Sequence, residues 1–271
     1  MLARYGGDHW QNNMKWSAVG GTGDGHRMGL EAGGSLVGEG VMHIHAVAGR
    51  QDSFFDRMEM FALQLVVDDN GMQMTAGDEH YSTAALKMTT MNGGYGNFIF
   101  DANASFATAE LEEMAAEGYA VKADTLEELA EKAGLPVENL LLTVRQHNRH
   151  IETGTPDAWT TAPGAMIPVT TAPFYCLKRQ SVIMGTIAGL KINNNMEVVR
   201  DNGEPVGNLY ATGELIFGNL FNNVYSMSGT AITTCISTGQ LASDHAVETM
   251  SKQLFYPMES NMIQFFGTFF V

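Results

Sequence analysis

Polar and apolar positions trade places most regularly at Val41-Met42-His43-Ile44-His45, the alternation of a half-buried strand. Ala62-Leu63-Gln64-Leu65-Val66-Val67 reads as a second strand, Asp69-Asn70-Gly71 as a hairpin turn, and Asn97-Phe98-Ile99-Phe100-Asp101 as a further strand. The period then lengthens. Thr125 and Glu128 form a capping box ahead of Leu126, Leu129 and Ala130, and Gly134 stops that helix. Pro136 starts another, whose Val137, Leu140, Leu141, Val144, Asn148 and Ile151 share a face that ends before Gly154.

The two ends of the chain have a different texture. Near the start, glycines precede Asp24 in Gly20-Gly21-Thr22-Gly23-Asp24-Gly25, and Met28, Leu30 and Ala32 predict a helix that ends at Gly33-Gly34. Near the other end, Asp201-Asn202-Gly203 is a hairpin turn and Asn208 to Ala211 reads as a short buried strand. Gly213-Glu214 ends that strand, and Gly229-Thr230-Ala231 opens a helix of small and apolar residues.

With 271 residues, 45% of them apolar, the chain can bury one large core or two smaller ones. Fifteen basic against 30 acidic residues give a net charge of −15 with no basic cluster, which argues against a nucleic-acid partner. Cys176 and Cys235 have no metal-ligand or CxxC spacing, so both are expected as buried reduced thiols, with no metal site. The first residues lack the apolar core of a signal peptide, which sets a cytoplasmic expectation. No run reaches the ~20 apolar residues of a membrane span. The Phe- and Met-rich tail from Leu254 to Val271 is broken by Glu259, Asn261 and Gln264 and is expected to cover a core or to be an abnormal terminus.

Chemistry is suggested where a strand delivers the carboxylate of Glu214 and a helix N-terminus opens at Gly229. Unpaired N–H groups and a partial positive charge at such an end suit an oxygen-rich ligand. The glycines around Asp24 also expose backbone amides, although a plain helix-capping loop would use the same residues. Their spacing is not that of the dinucleotide fingerprint.

These segments resemble the fumarate reductase/succinate dehydrogenase flavoprotein superfamily of FAD-dependent oxidoreductases, closest in motif to its 3-ketosteroid dehydrogenases. The matching stretches are Thr22-Gly23-Asp24-Gly25-His26-Arg27-Met28, Ala172-Pro173-Phe174-Tyr175, Gly185-Thr186 with Gly189-Leu190, and Leu209-Tyr210-Ala211-Thr212-Gly213-Glu214. The resemblance implies a mixed α/β and α+β fold: a partial, Rossmann-type FAD-binding domain, without its N-terminal nucleotide-binding part, carrying an inserted α+β capping domain. Residues 1–50 and 172–250 would form the FAD-binding segments, 51–171 the cap and 251–271 a tail. Thr22, Gly23, Asp24, Gly25, Glu214, Thr230, Ala231 and Ile232 would contact FAD, so the Asp24 and Glu214 segments should meet.

For catalysis, the resemblance implies that the Tyr225 phenol and the Gly229 amide polarise a ketone oxygen, a neutral oxyanion hole. Tyr81, on the cap, would transfer a proton and His45 would face substrate, though Ala46-Val47 replaces the usual Pro-Thr after it. Fumarate chemistry is disfavoured, because no arginine lies between Arg57 and Arg145 and Gly185 stands where fumarate-type members carry histidine. The expected reaction is therefore at a C=C or CH–CH bond conjugated to a carbonyl of a small molecule. A flavin reductase of small unsaturated carboxylates, fumarate- or urocanate-like, would need Arg179, Arg145 or Lys87 to turn inward. A non-catalytic degenerate domain is the third reading. Full members open on a strand and Gly-rich turn that hold the FAD pyrophosphate, and more than a hundred residues separate these from the Thr-Gly-Asp-Gly segment. Here that segment starts at Thr22. The missing N-terminal FAD-binding segment, in cis or in trans, is thus an expected partner, and FAD binding by this chain alone is expected to be weak.

Overall fold

A computed structural model of the chain describes residues 8–10, 13–15, 17, 20–40, 42–48, 64–104, 108–221, 224–227 and 229–267. Its strands are β1 (Met14–Lys15), β2 (Leu36–Val37), β3 (Met42–Ala48), β4 (Leu65–Val67), β5 (Tyr95–Phe100), β6 (Ala120–Ala123), β7 (Phe174–Thr186), β8 (Gly189–Leu190), β9 (Glu197–Val199) and β10 (Pro205–Tyr210). Its helices are α1 (Asp24–Glu31), α2 (Tyr81–Met91), α3 (Thr108–Ala116), α4 (Leu126–Ala133), α5 (Val137–Thr153) and α6 (Thr230–Gly267). This is a mixed α/β chain in two compact units. Unit 1 comprises Met1, Val19–Met42 and Thr186–Val271, and unit 2 comprises Leu2–Ala18 and His43–Gly185.

Unit 2 is built on β7. Phe174 to Leu177 are all buried, the near-continuous apolar run of a strand covered on both faces. β5 pairs antiparallel along Tyr175–Gln180, β6 pairs antiparallel along Phe174–Leu177, and β1 joins in parallel at Val182–Ile183. β3 also pairs with β7, and β4 lies outside β5. One core cluster joins Leu65, Val67, Ile99 and Cys176 of the sheet to Leu129 of α4 and Leu140 and Val144 of α5. Burial pushes the Cys176 thiol up to about 12, so it stays protonated.

The local signals hold here. The Asp69-Asn70-Gly71 turn forms, with the Asp68 carboxylate accepting the N–H groups of Asn70 and Met72. Ala62 and Leu63 lie outside the described residues. Thr125 accepts the Glu128 N–H at 3.1 Å, but Glu128 reaches back to the N–H of Asp124 rather than that of Thr125. Gly134 and Gly154 close α4 and α5 in the left-handed conformation. The buried face of α5 is rotated from expectation: Thr143 and His147 are inside with Leu140 and Val144, whereas Leu141 and Ile151 are only half-buried.

Unit 1 pairs β2 with β8 and folds β9 and β10 into a hairpin through the Asp201-Asn202-Gly203 turn. Its core cluster contains Leu190, Met196, Val198, Val206, Ala211, Ile216 and Ala242. Two expectations are corrected in this unit, at β10 and at Cys235. β10 is not a buried strand: among the described residues it pairs only with β9, its Gly207 and Asn208 are exposed, and the ladder register shifts along it. α1 buries Gly29 and leaves Met28 exposed, because the Gly29 Cα is pressed against the Leu190 side chain. Cys235 is exposed on α6 rather than buried. α6 runs on into the Phe- and Met-rich tail, whose side chains beyond Lys252 lie outside the described residues.

Candidate functional site

The candidate residues of unit 1 gather around one three-ten turn, Gly213–Asn219, which Ala211 and Thr212 join to the end of β10. Its first N–H, on Gly213, donates to Thr238 Oγ1 at 2.9 Å, and that hydroxyl donates to the Thr234 carbonyl at 2.6 Å. Gly213 is left-handed (φ +65°), and a Cβ on it would lie 2.7 Å from Cys235 Sγ, so only glycine lets the turn approach α6 this closely. Asn219 closes the far end. Its amide donates to the Leu190 and Ile216 carbonyls, and its oxygen accepts the Ile192 N–H.

The other side of the turn meets α1 and β8. A Cβ on Gly189 would sit 2.5 Å from the Leu215 carbonyl oxygen, and one on Gly25 would sit 3.1 Å from both Leu215 methyl carbons. Leu215 follows Glu214 and Gly25 follows Asp24, so the two segments implied to share a ligand do meet. Glu214 itself is exposed. At the start of α1, Gly23 is the left-handed N-cap, and Asp24 accepts from Thr22 Oγ1 at 2.6 Å and from Arg27 Nη2 at 2.8 Å. His26 Nε2 lies 3.0 Å from the Ala188 carbonyl, which fastens the same helix to the turn before β8.

At the start of α6, Gly229 is left-handed (φ +87°) with open space where a Cβ would be. Thr230 turns its hydroxyl onto the Met227 carbonyl, and the side chain of Ile232 is exposed. The Tyr225 hydroxyl accepts the Ala231 N–H at 2.7 Å. Tyr225 is 7% exposed and packs between Phe217 and Phe221, with ring centroids 6.0 and 5.9 Å away. The phenol therefore engages one of the amides expected to face FAD.

The remaining candidates belong to unit 2. His45 is in β3, and its side chain lies outside the described residues. Tyr81 opens α2 but is buried, with its ring 4.2 Å from that of His80, whose Nδ1 accepts the Ser82 N–H. Of the cations a carboxylate substrate would call on, Lys87 is 2.6 Å from Glu79 and 4.4 Å above the Trp159 ring. Arg179 is fully buried with its guanidinium 5.0 Å over Phe98, and Arg145 is exposed on α5. Among the described residues, no group of three or more His, Cys, Asp or Glu side chains could hold a metal, and no helix is long and apolar enough to cross a membrane.

Thr238 and Asn219 escaped sequence reasoning. Each acts by fastening the turn to an element distant in sequence, and neither sits in a motif that announces it.

A glycine-seamed turn holding out a carboxylate beside two helix N-termini is an arrangement for a ligand rich in hydroxyl and carbonyl oxygens. The chain belongs to the FAD binding domain family, whose model matches residues 2–232. It is 32% identical over 232 residues to the NADH:acrylate oxidoreductase of Vibrio harveyi, a match that spans 83% of this chain and 23% of that protein. It is 28% identical over 151 residues to a 3-oxosteroid 1-dehydrogenase of Mycobacterium tuberculosis, covering 50% of this chain and 27% of the relative. In fold it is similar to a 3-ketosteroid Δ1-dehydrogenase from Sterolibacterium denitrificans solved with 1,4-androstadiene-3,17-dione, with a TM-score of 0.69 at 18% identity. That likeness covers 86% of this chain and 48% of the neighbour. The chain thus spans less than half the length of each of these three proteins.

The residues present fit part of an FAD molecule. Glu214 is an exposed carboxylate able to accept ribose hydroxyl hydrogen bonds, and the opening of α6 is a helix N-terminus with room beside Gly229 for a flat group. A pyrophosphate would need a Gly-x-Gly-x-x-Gly turn after a strand, and the sequence contains none.

Proposed function

We propose that the chain forms the substrate-facing part of an FAD-dependent oxidoreductase acting on a C=C or CH–CH bond conjugated to a carbonyl. In this reading unit 1 is the second part of a Rossmann-type FAD-binding domain and unit 2 is the inserted cap. Thr22, Gly23, Asp24 and Gly25, with Glu214 and the Thr230-Ala231-Ile232 opening of α6, would hold FAD, which supplies two-electron hydride chemistry when bound. The observation that carries the reading is the contact of the Asp24 and Glu214 segments through Gly25 and Leu215, on the turn that Thr238 ties to α6.

Tyr225 is held in place by the Ala231 N–H and in this reading would polarise a ketone oxygen jointly with the Gly229 amide. Tyr81 is the proton-transfer residue of this reading and His45 a substrate contact. A neutral enone is favoured over a small carboxylate because Lys87 is engaged by Glu79 and Arg179 is sequestered over Phe98.

The test supplies the 271-residue chain with excess FAD and a chemical electron donor, and compares a cyclic 4-en-3-one with acrylate and urocanate. Reduction of the enone is expected, and Tyr225→Phe should lower it by about 100-fold, the usual effect of removing one oxyanion donor. Turnover of the acidic enoates alone would remove the ketone reading. Turnover of neither class would leave a non-catalytic domain. Because the pyrophosphate turn is absent, the chain alone should not purify yellow with stoichiometric flavin, and a preparation that did would contradict this.

A further inference from the structure

Lys87 and Glu79 of unit 2 form an ion pair that differs from the rest. Among the described residues, the other pairs join side chains that are 39–71% exposed, whereas these two are only 21% and 23% exposed, with Nζ 2.6 Å from Oε2. The pair spans eight residues, and Glu79 lies before the His80 N-cap of α2, outside the three- and four-residue spacings by which a helix makes its own pairs. Glu79 therefore reaches Lys87 from the preceding loop, and its second oxygen accepts the His80 N–H at 3.2 Å. The ammonium has two further neighbours, Thr75 Oγ1 at 3.4 Å and the centroid of the Trp159 ring at 4.4 Å.

That indole is held by a network of its own. Trp159 Nε1 donates to the Gln73 carbonyl at 3.1 Å, and the buried Asp157 carboxylate accepts from Gln73 Nε2 at 2.6 Å, from the Trp159 and Thr161 N–H groups and from the Thr161 hydroxyl. Between them Thr160 is left-handed at φ +65°, a costly conformation for a β-branched residue and one that collects at ligand clamps and active sites. An ordinary surface ion pair contributes little stability and needs no such platform. A lysine kept in one place by an indole face and a hydroxyl is a preformed partner for a carboxylate. We propose that Glu79 is a specificity gate: its carboxylate fills, from within the chain, a carboxylate site formed by Lys87, Thr75 and Trp159, and so turns acidic enoates away while neutral enones are admitted. Glu79 stands two residues before Tyr81, the proton-transfer residue of the flavin reading above, and the proposal rests on that reading for its link to turnover.

The test removes the occupant. Glu79→Ala and Glu79→Gln, the second keeping an acceptor for the His80 N–H, are titrated calorimetrically with propanoate and with propanamide, its uncharged counterpart. Both variants of the 271-residue chain are expected to bind propanoate about 10-fold more tightly than the unchanged chain, the effect of one charge-assisted hydrogen bond, and to bind propanamide no better. Adding Lys87→Met should abolish the gain. If a variant is less stable, propanoate and not propanamide should raise its thermal midpoint by mass action. With excess FAD and a chemical electron donor, the ratio of acrylate to enone turnover should rise by a similar factor in both variants.

Equal propanoate binding by the variants and the unchanged chain would overturn the proposal, as would a gain that survives Lys87→Met. Propanoate binding with no rise in the acrylate-to-enone ratio would also overturn it, by making the pair a structural tie. None of these results touches the flavin reading, which stands or falls on reduction of the enone by the unchanged chain. Variants that bind propanoate, in a chain that reduces neither class of substrate, would retire that reading and leave Glu79 as the occupant of a carboxylate site, so the two fail separately.

Discussion

α5 of unit 2 and α6 of unit 1 bury opposite kinds of residue. α5 turns Leu140 and Val144 inward against Leu65, Ile99 and Leu129, and two of its polar side chains reach backbone partners: the Thr143 hydroxyl donates to the Gly71 carbonyl and Asn148 bridges both backbone groups of Val169. Nearby, the buried Asp101 carboxylate accepts from Gln64, Asn103 and the N–H groups of Thr170 and Thr171. α6 turns threonines and alanine inward and isoleucines outward. Unit 2 is therefore closed by side-chain volume, as a core that stands by itself should be. Unit 1 is closed by backbone approach across glycine seams. The second method presses a turn against a helix where no side chain would fit, and leaves isoleucines on the outward face of α6.

Truncation experiments break this contrast if it is wrong. Leu140→Ala removes a fully buried side chain from the unit 2 core and should cost about 2–5 kcal/mol in denaturant unfolding. Ile236→Ala is the same kind of change at an exposed position of α6, and should lie within about 0.5 kcal/mol of the parent. Equal losses at the two sites would mean that the outward face of α6 is packed.

The glycine seams give the next largest effect. Gly189→Ala places a methyl 2.5 Å from the Leu215 carbonyl and 2.9 Å from the Ile216 Cα, both of them backbone, and should destabilise by about 1–3 kcal/mol. Gly239→Ala, inside α6 with nothing within 4 Å of the new methyl, should instead stabilise by about 0.5–1 kcal/mol. If both were neutral, the turn would not be wedged against β8, and Glu214 would lose its fixed position.

Much of this was legible where the signal is local. A capping box, two left-handed glycines closing helices and two Asx-type turns act within a few residues, so spacing predicts them. Burial is decided by partners that spacing does not name. Asn208 to Ala211 reads as a buried strand, yet among the described residues β10 finds only β9 beside it, and Asn208 adopts a left-handed φ of 58° as the register slips. Met28 is among the residues that predict α1, yet it is exposed, and the Leu190 side chain fits over Gly29. Cys235 sits among small residues that suggest an interior, yet it is exposed, although the turn at Gly213 comes close to its sulfur. Around the candidate site, motif residues such as Asp24, Glu214 and Gly229 stood out from their glycine context. Thr238 and Asn219 did not, since their importance depends on which carbonyl and which N–H come within reach after folding.

The smallest expected effect concerns a polar residue that unit 2 keeps in its interior. His147 is buried on α5 with Nε2 2.8 Å from the Ile167 carbonyl, so Nε2 carries the proton, while Nδ1 is buried with no hydrogen-bond partner. Burial lowers its pKa below the usual 6.5, outweighing the pull of the Ile167 carbonyl, Asp157 and Asp101, while His150 adds to the lowering. A histidine whose folded pKa is depressed is neutral in both states above about 6.5 and contributes no pH dependence there. As pH falls through 6.5 the unfolded chain takes up a proton that the folded one refuses, so stability declines until the lower folded pKa is reached. Asp157 works in a separate window. Burial raises its pKa, but hydrogen bonds from Thr161 and Gln73 more than compensate and leave it below 3.8, so its contribution is lost only in stronger acid. Unfolding free energies measured from pH 7.5 to 5 should therefore fall as pH drops below about 6.5. In His147→Gln, whose amide can still donate to the Ile167 carbonyl, that slope should flatten while the slope below pH 4 persists. An unchanged slope between pH 6.5 and 5 would assign the titration to another histidine and show that the interior around α5 admits a charged imidazole.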